Sequence, residues 1–125
     1  MAKVAYNTEH QKVLDSLLLG LPGVKGGKMF GYPAYYVHGK LFACVYGAGV
    51  GIKVPEDVAN KLLGRVHIVT FQPLGRPKMR EWVQINRTKS ADYRRDRDIF
   101  ITSVEFVGSM TKKAKPQKTQ RKNKN

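Results

Sequence analysis

The run from Lys28 to Tyr46, Lys-Met-Phe-Gly-Tyr-Pro-Ala-Tyr-Tyr-Val-His-Gly-Lys-Leu-Phe-Ala-Cys-Val-Tyr, constrains the fold more than any other feature of this chain. It reads as strand, tight turn, strand, and its second half is apolar on both sides. An antiparallel strand with one wet face should alternate apolar and polar residues. Here a period of two sends Leu41, Ala43 and Val45 to one face and Phe42, Cys44 and Tyr46 to the other. Either another part of the chain or a partner must cover the second face.

With 125 residues, 42% of them hydrophobic, the chain suits one globular domain that needs no disulfide or metal to hold it. Its single cysteine, Cys44, cannot form an internal disulfide and suits a reducing compartment. Residues Met1 to His10 lack the apolar core of a signal peptide, and no stretch has the length and apolarity of a membrane span. The expectation is a cytoplasmic protein with no membrane contact. The formal net charge is +14, and half of it lies between Thr111 and Asn125, a segment with seven cations and no acid. A field of that sign attracts polyanions, nucleic acid above all, although such a tail also serves simple solubility.

Element signals follow one another along the chain. Thr8 with Gln11 forms a capping-box pattern ahead of a helix over about Glu9 to Leu19, whose stripe is Val13, Leu14, Leu17, Leu18 and Leu21. Gly20, Pro22 and Gly23 end it, and Gly26-Gly27 read as a loose link. A first strand covers Met29 to Val37, bent near Gly31 and Pro33. His38-Gly39 makes a two-residue turn into Lys40 to Tyr46, and Gly47 to Gly49 turns into Val50 to Val54. Pro55, Glu56 and Asp57 open a second helix that Gly64 ends. Strands over Val66 to Phe71 and Glu81 to Arg87 flank a loop containing Pro73, Gly75 and Pro77. In the latter strand Val83 and Ile85 share one face and Trp82 and Gln84 the other. Ser90 caps a last helix that Gly108 can end, although Ile99 to Val107 is β-branched enough for a strand. The sum is an α+β domain over residues 1–110 and a basic tail over 111–125 without fixed structure. The domain has two layers: a five-stranded, mainly antiparallel sheet with helices on one face, in the order α-β-β-β-α-β-β-α.

Met29-Phe30-Gly31, then Tyr35 to Ala43 with its Gly39-Lys40 turn, then Gly51-Ile52-Lys53-Val54, then Gly75-Arg76-Pro77 with Trp82 close behind, resemble the N-terminal domain of the TfoX competence regulators and their stand-alone relatives. The resemblance spans roughly residues 8 to 108. It implies the same two-layer order and a helix for the last element. It also implies a regulatory or protein-interaction role without catalysis. Full-length members carry a second helical domain where this chain has its short basic tail.

Chemistry-bearing residues are sparse. His10, His38 and His67 lack metal-ligand spacing, and no Gly-x-Ser-x-Gly elbow exists. The glycines of Gly23 to Gly31 lack a Gly-Lys-Ser/Thr ending, so they read as a connector rather than a phosphate loop. Cys44 has no activating neighbour in sequence and reads as a small buried residue. No catalytic residue, metal or cofactor is expected. Two surfaces remain. One is an apolar interface of Tyr36, Phe42 and Tyr46 on the non-helical face, which suits a homodimer or another protein partner. The other is a DNA- or RNA-binding set of Arg76, Lys78 and Arg80 on the loop with Lys112, Lys113, Lys115, Lys118, Arg121, Lys122 and Lys124 in the tail. Arg94, Arg95 and Arg97 alternate with acids and read as a salt-bridged helix face.

Overall fold

The structure, a computed structural model, describes residues 5–73 and 79–114, with side chains as far as Met110. Helix α1 (Thr8–Leu18) leads into four successive strands, β1 (Val24–Met29), β2 (Tyr32–Val37), β3 (Lys40–Tyr46) and β4 (Gly49–Lys53). Helix α2 (Glu56–Leu62), strands β5 (Ile68–Thr70) and β6 (Trp82–Ile85), a 3-10 turn (Ser90–Asp96) and helix α3 (Arg97–Ala114) complete the order. The sheet runs β1-β2-β3-β4-β6-β5, and every pairing is antiparallel. The fold is therefore α+β, with six strands where the sequence suggests five. No described helix is long and apolar enough to cross a membrane.

The sixth strand comes from the segment read as a loose link. Lys25 to Met29, Gly26-Gly27 included, pair in register with Tyr32 to Tyr36. The turn between them is Phe30-Gly31, with φ of 50° and 87°, the same positive pair as His38-Gly39 at 50° and 81°. Two-residue hairpin loops with two positive φ values match the twist of the strands they join. The second turn is legible because of His-Gly. The first is hidden because a phenylalanine holds the position that Asn, Asp or Gly ordinarily takes.

Helix α1 starts one residue earlier than expected, because Asn7 rather than Thr8 caps it. Its Oδ1 accepts from the amides of Glu9 at 2.8 Å and His10 at 3.1 Å. Ser90 opens the 3-10 turn, and the regular helix begins only at Arg97. Helix α3 then continues past Gly108, the glycine expected to end it, as far as Ala114.

All helices bury their apolar sides on one face of the sheet. Leu14 and Leu18 of α1, Ala59 and Leu62 of α2, Tyr93 of the 3-10 turn, and Phe100 and Val107 of α3 join Tyr35, Val37, Val45, Val50, Ile52, Val83 and Ile85 in one cluster. Phe42 also belongs to that cluster and is fully buried, which corrects its assignment to the non-helical face. The cause is a β-bulge. Tyr35 pairs with Ala43 and Tyr36 with Leu41, so Phe42 is the extra residue of β3. Phe42 and Ala43 therefore both face the helices, while Leu41 joins Cys44 and Tyr46 on the opposite side.

Candidate binding site on the open sheet face

The face without helices carries its own small apolar cluster. Ala34, Cys44 and Phe71 are buried there, with Met29, Tyr36, Leu41, Tyr46, Met79 and Trp82 packed against them. Part of its cover comes from the segment after β5. The Phe71 ring sits over Gly51, where a Cβ would stand 2.7 Å from two ring carbons. Only glycine admits that approach. Tyr46 meets Phe71 edge-on at 5.6 Å between ring centroids and Tyr32 at 4.7 Å, and Phe71 meets Trp82 at 5.3 Å. An aromatic row thus crosses the sheet from β2 to β6. Burial pushes the Cys44 thiol up to about 12, against a smaller opposing contribution from a backbone hydrogen bond with Gly51. At neutral pH it is a protonated, inert packing group.

Between this row and the β1–β2 turn lies an apolar cleft of about 240 Å³. Met29, Leu41, Phe71, Met79 and Trp82 wall it, and Pro73 and Phe30 complete the lining. Phe30 is 63% exposed, the most exposed Phe, Tyr or Trp among the described residues. Beyond the wall formed by Met79 and Trp82 lies a polar hollow lined also by Lys53, Glu56, Arg80 and Glu81. There Lys53 and Glu81 pair at 3.8 Å.

The interface residues expected from sequence separate. Tyr36 and Tyr46 lie on the open face, both half-buried, and Phe42 does not. Tyr36 reaches across β1, where Gly27 leaves room for its ring, and its hydroxyl donates to the Lys28 carbonyl at 2.7 Å. Of the basic set, Arg80 is exposed beside Met79. Lys112 and Lys113 fall on the last turn of α3, with side chains outside the described residues. Arg76, Lys78, Lys115, Lys118, Arg121, Lys122 and Lys124 also lie outside them. Arg95 pairs with Asp92 at 3.7 Å within the 3-10 turn, and Arg87 pairs with Asp96 at 2.7 Å. Of Arg94, Arg95 and Arg97, Arg95 takes an acid partner on the surface, Arg94 donates to the Ser16 hydroxyl at 3.4 Å, and buried Asp96 is held by Arg87 instead.

A second polar cluster lies on the helical side. His10, on α1, is buried, and its ring stands edge-on to Tyr93 at 4.8 Å. Its Nε2 lies 3.2 Å from the Ala48 carbonyl, which can only accept, so Nε2 carries the proton. Nδ1 then accepts from the Ser90 hydroxyl at 2.6 Å. Burial lowers the His10 pKa and outweighs the bond to Ala48. Tyr93 donates to the Ile85 carbonyl at 2.8 Å, and the bidentate Arg87–Asp96 pair closes the group. This set is a staple tying α1, the β3–β4 turn and the 3-10 turn together. None of the residues lining the described cavities belongs to it. Nothing in the sequence signals it, because its members lie as many as 80 positions apart.

Among the described residues no three His, Cys, Asp or Glu side chains converge as a metal ion would require. No family model, curated protein or solved structure matches the chain.

Proposed function

We propose that this chain is a non-catalytic binding module whose working surface is the open face of its sheet. Such a role fits the regulatory or protein-interaction character that the TfoX resemblance implies. The observation that carries it is Phe30. A phenylalanine at φ 50° occupies a left-handed conformation costing roughly 1–2 kcal/mol for a residue other than glycine. The same residue is mostly exposed at the lip of an apolar cleft. Local strain combined with exposed aromatic surface is what a turn selected for contact with a partner shows. A turn selected for stability alone would carry Asn or Gly there.

Phe30→Asn separates the two. If Phe30 serves binding, the variant keeps or raises the melting temperature, by the few tenths to ~1 kcal/mol that a relieved backbone contributes. A fall of several degrees makes Phe30 a packing residue and removes the main support for the module.

The acid-free segment 111–125 supports a second reading, nucleic-acid attachment through the tail. If all seven cations contact B-DNA phosphates, log affinity falls with log salt at a slope of about −6, and removing 111–125 abolishes most binding. Unchanged affinity after that truncation discards the tail as the contact.

A further inference from the structure

We infer that the hollow at the outer edge of β1 takes unpaired bases of a single-stranded nucleic acid, with the Tyr36 and His38 rings as platforms and Lys25 on the neighbouring phosphate. The inference rests on the nucleic-acid reading above and adds a contact on the folded part, with the form of nucleic acid it selects.

Backbone without side chains makes the hollow. β1 stands at one end of the sheet order, so among the described residues no strand covers its outer side. Gly23 and Gly27 leave two rings from the end of β2 room to lie against that edge. A Cβ at Gly27 would stand 3.1 Å from Tyr36 Cε1, and one at Gly23 would stand 2.8 Å from His38 Cε1. The Tyr36 hydroxyl donates to the Lys28 carbonyl at 2.7 Å, which holds that ring in place before any ligand arrives. Lys25 pairs in register with Tyr36 and so shares its face, two residues from each of those glycines. With Gly26 and Gly39 these residues line a hollow of about 530 Å³, within the roughly 300–1,000 Å³ of small-molecule sites. The lining is ring, cation and ring, with no acid. Among the described residues neither ring stacks on another. Rings interleaved with a cation let bases stack while the cation meets the backbone phosphate.

The basic tail leaves the fold at the same corner. The His38 ring also meets α3, its Cδ2 lying 3.5 Å from the Cβ position of Gly108. Lys112, the first cation of the tail, follows Gly108 by about one helical turn. No acid follows Glu105, and the seven cations of 111–125 all lie downstream of the His38 contact. The densest positive charge of the chain thus starts beside the hollow. Asp15 of α1, on the helical side of this edge, borders a separate hollow and accepts from the buried Tyr35 hydroxyl at 2.6 Å. Polyanions differ in what they bring to such a lining. A duplex keeps its bases paired and stacked, and an acidic polypeptide has no base to lay on the rings. A single strand supplies phosphate and unpaired base together.

Titrating the full chain into a fluorescein-labelled oligothymidylate, its abasic counterpart and the matching duplex tests this. His38→Asn removes one ring and keeps the turn, since Asn-Gly is the favoured pair where both φ values are positive. His38→Asn and Tyr36→Leu should each weaken binding of the single strand at least about fivefold, and leave the abasic strand and the duplex within about twofold. Tyr36→Phe keeps the ring and should bind the single strand within about twofold of the native chain. Lys25→Gln should flatten the fall of log affinity with log salt by about 0.7. Ring and Lys25 variants that bind as the native chain does, while removal of 111–125 abolishes binding, overturn the hollow and leave the tail standing. Strand binding that survives that truncation and is lost in His38→Asn supports the hollow and discards the tail. Equal weakening toward all three probes overturns base stacking and the inference with it. Polyglutamate displacing the strand as well as unlabelled oligothymidylate does also overturns it. A full chain that binds none of the probes overturns both the hollow and the tail.

Discussion

The Phe71 ring rests on the bare backbone of Gly51, closer than any side chain there would permit. That contact links β4 to the segment that covers the open face, and it fixes one wall of the cleft. It joins residues 20 positions apart, one in a strand and one just past another, so no local pattern announces it.

Gly51→Ala tests the seat of that ring. In a strand, replacing glycine with alanine ordinarily gains up to ~1 kcal/mol by reducing the freedom of the unfolded chain. Here the methyl group meets the ring at 2.7 Å, so the sign should reverse, with a loss of about 1–3 kcal/mol. Denaturant titration measures this, and Trp82 emission, 5.3 Å from Phe71 between centroids, should shift with it. A more stable variant with unaltered emission contradicts the contact.

His10 should make stability depend on mild acid. Its pKa is lowered from 6.5 by burial in the folded state, so the unfolded chain takes up the proton first. The contribution is complete above pH 6.5 and is lost as the pH falls through that value toward the folded pKa. Protonation also ends the acceptance at Nδ1 from Ser90. Between pH 7.5 and 5.5, well above the ordinary carboxylate range, unfolding free energy should drop more in the native chain than in His10→Gln. Parallel profiles would show that burial does not perturb this imidazole.

Asp96 is buried with its side chain only 1% exposed, and Arg87 holds it by two bonds of 3.0 and 2.7 Å. The same hydrogen bonding raises the Arg87 pKa, with burial a smaller opposing effect. Arg87→Ala leaves a buried carboxylate without its cation and should lower stability by about 3–5 kcal/mol. Arg87→Leu combined with Asp96→Leu should recover much of that loss, since the uncompensated charge is gone. Thermal or urea unfolding of the three chains checks both statements.

The architecture was legible where local chemistry and tertiary packing agree. His38-Gly39, the acids opening α2, and the alternation of Val83 and Ile85 with Trp82 and Gln84 all place their elements as the structure does. Pattern and structure part where a residue type is used against its habit. Phe30 sits in a turn suited to Asn or Gly, which hides β1, and Asn7 takes the cap that the Thr8–Gln11 pattern assigns to Thr8. Gly108 continues α3 instead of ending it, passing 3.5 Å from the His38 ring at its would-be Cβ. The open face was recognisable as oily, but its cleft was not. Phe30, Pro73 and Met79 reach it from a turn and a loop, where periodicity carries no information.

The bulge at Phe42 means that the chemistry of the open sheet face depends on a residue that never touches it. Straightening β3 by one pleat would swing Phe42 outward and draw Leu41 inward, taking away a wall of the cleft while every lining residue kept its identity. A single backbone irregularity thus decides whether this cleft exists, and comparing only the residues of the surface itself would miss the change.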